Sequence, residues 1–146
     1  LLINDNVAIA RRSSADGVHV GQDDMEAASV RSILGSDMIV GVTAKTAQQA
    51  IRAEEAGADY LGSGAVFGSA TKLNAKPMTK ELLNAICHAV EIPVVAIGGI
   101  NRQNILELSG TDIDGVAVVS GIFAADDIEK ECRHLLKIAQ QITAAK

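Results

Sequence analysis

The sequence predicts an α/β fold of parallel strands covered by helices, either a (β/α) barrel or an open doubly wound sheet. Three observations predict it. Short apolar runs rich in β-branched residues recur along the chain, amphipathic stretches separate most of them, and one signature marks the joint where helix gives way to strand.

The apolar runs fall at residues 1–4, 18–21, 38–43, 60–66, 93–97 and 116–120. The third and fifth are apolar almost throughout, as in strands buried on both faces of a parallel sheet. The clearest helical stretches are 46–56, 79–90 and 126–142, with a short one at 104–108. Thr79 reads as an N-cap because Glu81 and Leu82-Leu83 follow it. The joint signature is Ala15-Asp16-Gly17-Val18, then Ala58-Asp59-Tyr60-Leu61, then Ile113-Asp114-Gly115-Val116. Six repeats of one unit with short connections fit either architecture.

Composition narrows the function classes. The 146 residues support one domain with a core, and that core is aliphatic, because 48% of the chain is apolar with only two Phe and one Tyr. A net charge of −5 and the scarcity of aromatic rings argue against a nucleic-acid partner. Polar residues interrupt every apolar stretch before membrane-spanning length, and Leu1-Leu2-Ile3 leads straight into Asn4 and Asp5 rather than a signal sequence. A soluble, cytoplasmic protein with no membrane partner is expected. Cys87 and Cys132 fall in helical patterns without metal spacing and read as buried thiols. The chain opens on Leu and enters a strand at once, as expected for part of a longer polypeptide.

Barrel chemistry sits at the carboxyl ends of the strands, and the polar residues can be sorted by that rule. The first two strands end in Asn4-Asp5 and Gln22-Asp23-Asp24, and the third ends at Thr43. The fourth opens into Gly62-Ser63-Gly64 and Gly68-Ser69-Ala70-Thr71-Lys72, the fifth into Gly98-Gly99, and the sixth into Ser120-Gly121. Asp16, Asp59 and Asp114 belong on the opposite, stabilising face. Asp5 and Asp24 read either as ligands sharing one hard cation or as loop residues capping the helices that follow. The glycine-rich loop ending at Lys72 reads either as an anion site, whose backbone can approach closely with Lys72 as a point charge, or as a flexible surface loop. The loops at Gly98-Gly99 and Ser120-Gly121 match the place where barrels commonly cradle a phosphate. His19 lies inside a strand and reads as a structural, hydrogen-bonded residue. His88 and His134 read as solvated helix residues, and no Ser-His-Asp or Cys-His pairing stands out.

Six ordered segments carry a resemblance that no single one would: LLINDNVAIA, ADGVHVGQDDM, MIVGVTAKT, AGADYLGSGAVFGSATK, IPVVAIGGIN and GVAVVSGIF. Together they resemble the thiamin-phosphate synthase family along the whole chain. The resemblance implies a single (β/α)8 TIM-barrel domain over 1–146, with six of the units present and the first two lacking. It implies a transferase of thiamin biosynthesis that condenses hydroxymethylpyrimidine pyrophosphate with thiazole phosphate, releasing pyrophosphate by a dissociative, magnesium-assisted route. Asp5 and Asp24 would bind Mg2+, while Asn4, Thr43 and Lys72 would hold the pyrimidine pyrophosphate, Thr43 and Lys72 acting on the leaving group. Ser69, Ala70, Thr71, Gly99, Val119 and Ser120 would hold the thiazole phosphate. Thr43 stands where many members have Ser, and Ser69 where many have Thr. The family's glutamine-arginine-lysine motif is not in this chain, so turnover is expected of a longer protein rather than of these 146 residues. The partners implied are small molecules, with homo-oligomer formation left open. Two rival readings share the fold: a thiazole tautomerase, and a phosphate-ligand binding barrel without catalysis. Unpaired edges at the strands beginning at Leu1 and Val116 would make the isolated chain prone to self-association.

Overall fold

Each apolar run pairs with the next one along the chain. Residues 1–68 and 77–144 are described here, from a computed structural model. The strands are β1 (Leu2–Asn4), β2 (Gly17–Val20), β3 (Ile39–Thr43), β4 (Tyr60–Gly64), β5 (Val94–Ile97) and β6 (Gly115–Ala117). They form one parallel sheet in the order β1-β2-β3-β4-β5-β6. A doubly wound sheet reverses its strand order partway. This one never reverses, which decides for the winding of a barrel. Among the described residues β1 and β6 each have a strand neighbour on one side only.

The helices are α1 (Val7–Arg12), α2 (Ala27–Leu34), α3 (Ala47–Glu55), α4 (Lys80–Cys87), α5 (Ser120–Phe123) and α6 (Ile128–Thr143), with a 3-10 turn at Ile105–Leu108. Side-chain caps set several starts: Asn6, Thr46, Thr79 and Asp127 accept from the backbone N–H groups of Ile9, Gln49, Leu82 and Lys130 at 2.9, 3.2, 3.2 and 2.9 Å. The cap expected at Thr79 is therefore present.

Two expected strands are shorter than their apolar runs. The run at 60–66 leaves the sheet after Gly64, and the run at 116–120 leaves after Ala117. Ser120 belongs to α5 instead, where the backbone of Gly121 is pressed against the Ile100 carbonyl; a Cβ there would lie 2.4 Å from that oxygen. Cys87 and Cys132 lie in α4 and α6 as expected, but each is half-buried rather than buried.

Alternation along the strands divides the sheet into two uses. Val18, Val20, Val40, Val42, Leu61, Val94 and Ala96 point to the helices and are buried against residues such as Ala50, Leu83, Ile86 and Leu135. The residues between them face the barrel interior. The joint signature also has a physical reason. Asp59 accepts from Val40 N at 2.7 Å and Asp114 from Val94 N at 2.8 Å, so each carboxylate takes an N–H at the start of a neighbouring strand. Asp16 likewise lies against the backbone nitrogen of Leu1, just before β1. Among the described residues, no helix is long and apolar enough to cross a membrane.

Candidate active site

Register brings together the inward-facing residues of separate strands. Asn4 pairs with His19, His19 with Gly41, and Gly41 with Tyr60, while Thr43 pairs with Gly62. The two glycines make room for two rings. A Cβ on Gly41 would lie 2.2 Å from the Tyr60 ring, and one on Gly62 would lie 2.9 Å from His19 Cε1. The rings of His19 and Tyr60 are tilted by 39° with centroids 5.5 Å apart.

His19 is held at both nitrogens. Its Nδ1 is 2.9 Å from the Tyr60 hydroxyl and its Nε2 is 3.0 Å from Thr43 Oγ1. Burial pulls His19 below its ordinary pKa, against the opposite pull of the Asp5 and Asp24 charges. The ring is neutral near pH 7, so one nitrogen donates and the other accepts. The expected structural, hydrogen-bonded histidine is present, and it also lines the cavity described next. Burial likewise pushes the Tyr60 hydroxyl up, keeping it a phenol.

A pH dependence follows. Between the depressed folded pKa and the ordinary value of about 6.5, the unfolded chain binds more protons at His19 than the folded one. Stability contributed through this residue is therefore expected to fall as pH drops below about 6.5 and to level off below the folded pKa. Thermal midpoints measured against pH should show this component in the wild type and lose it in His19→Gln. Identical slopes in both proteins would refute it.

Around these rings lies a cavity of about 500 Å³, lined among others by Asn4, Asp5, Asp24, Thr43, Lys45, Ile97 and Ala117. Asp5 sits at the end of β1 with φ 65°, a left-handed conformation that Asp tolerates better than most residues. Its N–H donates to the His19 carbonyl at 2.7 Å. Desolvation raises the Asp5 carboxyl above its ordinary range, and the charge and hydrogen bond of Asp24 add to the rise, while His19 and Asn4 oppose it. Asp24 is fixed from its other side by the Gly21 N–H, 2.7 Å from Oδ2. Gln22 Nε2 donates to the Thr43 carbonyl at 2.5 Å and so ties the loop after β2 to the end of β3.

Two carboxylates this close repel unless a proton or a cation lies between them. Among the described residues no group of three or more His, Cys, Asp or Glu could hold a metal by itself. The donor set fits a hard divalent cation that keeps waters and takes substrate phosphates for its remaining ligands.

The structure thus brings together four of the expected site residues: Asn4, Asp5, Asp24 and Thr43. Gly99 lies in the loop after β5, with φ 70°, against the loop after β4; a Cβ on it would sit 2.8 Å from the Gly68 carbonyl oxygen. Val119 is 65% exposed just before α5. Ser120 lines a second cavity of about 620 Å³ with Asn101, Arg102 and Gly121. Ser69, Ala70, Thr71 and Lys72 lie outside the described residues. Tyr60 and Lys45 were missed by sequence reasoning, and Gln22 was read only as a polar strand-end residue. The one usable signal was Tyr60, the sole tyrosine of the chain, two residues before Gly62 on the same strand face.

Residues 1–122 match the family described as thiamine monophosphate synthase. The chain belongs to the thiamine monophosphate synthase family. It is 50% identical over 138 residues to a thiamine-phosphate synthase of Ruminiclostridium cellulolyticum, covering 94% of this chain and 66% of that one. To the corresponding protein of Clostridium tetani it is 48% identical over 135 residues, covering 92% and 65%. A thiamine phosphate pyrophosphorylase from Pyrococcus furiosus superposes with a TM-score of 0.87 at 38% identity, covering 97% of this chain and 67% of that one. This member of the thiamine monophosphate synthase family therefore spans about two thirds of the length of relatives it matches, and its six parallel strands correspond to part of their barrel.

Proposed function

We propose that this protein is a thiamin-phosphate synthase, joining hydroxymethylpyrimidine pyrophosphate to thiazole phosphate, with residues 1–146 forming part of one barrel domain. The observation that carries the reading is the meeting of Asp5, Asp24, Asn4 and Thr43 in one cavity at the carboxyl ends of three adjacent strands.

In the proposed reaction the bond between the pyrimidine methylene and pyrophosphate breaks, and its electron pair leaves with the pyrophosphate. The resulting cation is captured by the lone pair of the thiazole nitrogen. No base is needed at the bond-forming step, which suits a site whose histidine is already engaged by two hydroxyls. The demand falls on positioning and on charge developing at the leaving group. Asp5 and Asp24 would hold one magnesium ion, which when bound supplies positive charge beside the pyrophosphate. If Tyr60 donates to Nδ1 and Nε2–H donates to Thr43, the Thr43 hydroxyl keeps its own proton for a leaving-group oxygen. Asn4 opposes the rise of the Asp5 carboxyl and lines the same wall. Lys72 would add a second positive charge, and Ser69, Ala70, Thr71, Gly99, Val119 and Ser120 would hold the thiazole phosphate. A cytoplasmic location and small-molecule partners go with this reading.

The test is thiamin-phosphate formation by the protein expressed from its complete natural reading frame, with and without magnesium. Magnesium-dependent product is expected. A folded protein that binds thiazole phosphate but forms no product would favour a tautomerase or a binding barrel. Lys72→Ala is expected to lower kcat/KM more than tenfold, about the loss of one charged transition-state contact. A change below twofold would show Lys72 to be peripheral.

A further inference from the structure

We propose that Arg102 and Glu131 form a latch that positions the Gly98-Gly99 loop for phosphate binding. This rests on the functional reading above and adds two residues that touch no substrate in it.

Glu131 is one of only three polar or charged residues that are buried among those described, at 7% exposure. It lies in the first turn of α6, and its partner lies in the loop after β5. Arg102 Nη2 reaches Glu131 Oε2 at 2.5 Å, and Arg102 Nε reaches Oε1 at 3.2 Å. Both carboxylate oxygens are therefore taken by one planar fork, a geometry that fixes direction as well as distance.

The loop that Arg102 anchors is internally tied. Asn104 Nδ2 donates to the Gly99 carbonyl at 2.9 Å and Asn101 Nδ2 at 3.3 Å, while Asn101 N donates to Asn104 Oδ1 at 2.9 Å. Two side chains thus draw the Gly99 carbonyl toward the 3-10 turn. Because the peptide is planar and trans, the N–H of Ile100 points to the opposite side of the loop. The loop is also pressed on α5: a Cβ on Gly121 would stand 2.4 Å from the Ile100 oxygen and 3.2 Å from Asn101 Cα. A shift of α6 relative to the β5 loop would therefore carry Gly99 and Ser120 apart. The latch resists that shift.

The cavity beside the latch contains Arg102 and Lys130 but also Asp126, Asp127 and Glu131, so it offers an anion no net positive wall. The pair acts through position rather than through charge on the ligand.

The test uses the protein from its complete reading frame and two variants. Arg102→Gln/Glu131→Gln removes the ion pair without leaving a buried charge unpaired. Arg102→Lys keeps the charge and loses the fork. Measurements are KM for each substrate, kcat, and the Kd for thiazole phosphate alone by calorimetry. The double variant is expected to raise KM and Kd for thiazole phosphate at least fivefold. KM for the pyrimidine pyrophosphate should stay within twofold and kcat within threefold. Arg102→Lys should fall between the double variant and the wild type. Equal changes in both KM values, or none in either, would overturn the latch. If the wild type binds thiazole phosphate but forms no product, the synthase reading fails alone and the Kd ratio still decides the latch. If the wild type does not bind thiazole phosphate, both fail. Should the double variant not fold, Arg102→Lys decides by the same ratios.

Discussion

On the proposed function, Asp24→Asn in the protein from its complete reading frame is expected to lower magnesium-dependent thiamin-phosphate formation by at least about a hundredfold, as removal of a group that stabilises transition-state charge typically does. Asn keeps an oxygen that can accept from the Gly21 N–H, now made at 2.7 Å, so the loop after β2 should keep its shape. The charge is what disappears. With it goes part of the repulsion that raises the Asp5 carboxyl, so Asp5 should titrate closer to its ordinary value in the variant. Three readings belong together: turnover, magnesium titration, and the Asp5 carboxyl followed by NMR. Wild-type activity with an unchanged magnesium requirement would remove Asp24 from the metal site. Activity lost together with the thermal transition would show that the substitution broke the loop instead.

The second large effect concerns the opposite end of the barrel. Arg31→Ala is expected to cost about 2–3 kcal/mol of stability, read from denaturant unfolding. Arg31 donates to the Gly57 carbonyl from Nε at 3.1 Å and from Nη2 at 2.7 Å, to Gly35 O at 2.8 Å, to Met38 O at 2.7 Å, and to Asp59 Oδ2 at 2.6 Å. One guanidinium thereby closes the ends of α2 and α3 and the entry to β3. Its side chain is 21% exposed, but that of Asp59 is 48% exposed, so water replaces part of what the ion pair loses and the cost stays below that of breaking a fully buried pair. Arg31→Lys should recover less than half, because an ammonium cannot span this set of acceptors. A loss below about 0.5 kcal/mol would mean that the carbonyls are as well satisfied by solvent. Catalytic constants should change little in either variant at temperatures where it is folded.

How far these sites could be read in advance depended on the range of the interaction. The cap at Thr79 was legible because it acts within its own turn, and the joint aspartates because they recur at one place in three units, although each acts on the strand beside its own. Asn4, Asp5, Asp24 and Thr43 were legible as strand-end residues. Their meeting in one cavity depended on strands 1, 2 and 3 being adjacent and in register. Tyr60 stayed hidden because its partner His19 lies 41 residues earlier and the contact requires glycines on two further strand positions. The end of β6 was misplaced because Val118-Val119 continue an apolar run, while the chain leaves the sheet and turns into α5.

By itself, then, the sequence determined the six-unit α/β pattern, the aliphatic core and the end of the strands where polar chemistry gathers. Periodicity and capping are local and are written in neighbouring residues. Periodicity alone left a barrel and a doubly wound sheet open, and the family resemblance pointed to the barrel. The strand order bore that out, and strand order depends on how each crossover packs on the sheet. Only the tertiary structure showed which face His19 takes, because both faces of a parallel sheet are enclosed and alternation cannot tell them apart. The Arg102–Glu131 fork was likewise beyond reach: 29 residues separate its partners, and only the packing of α6 beside the β5 loop brings them together.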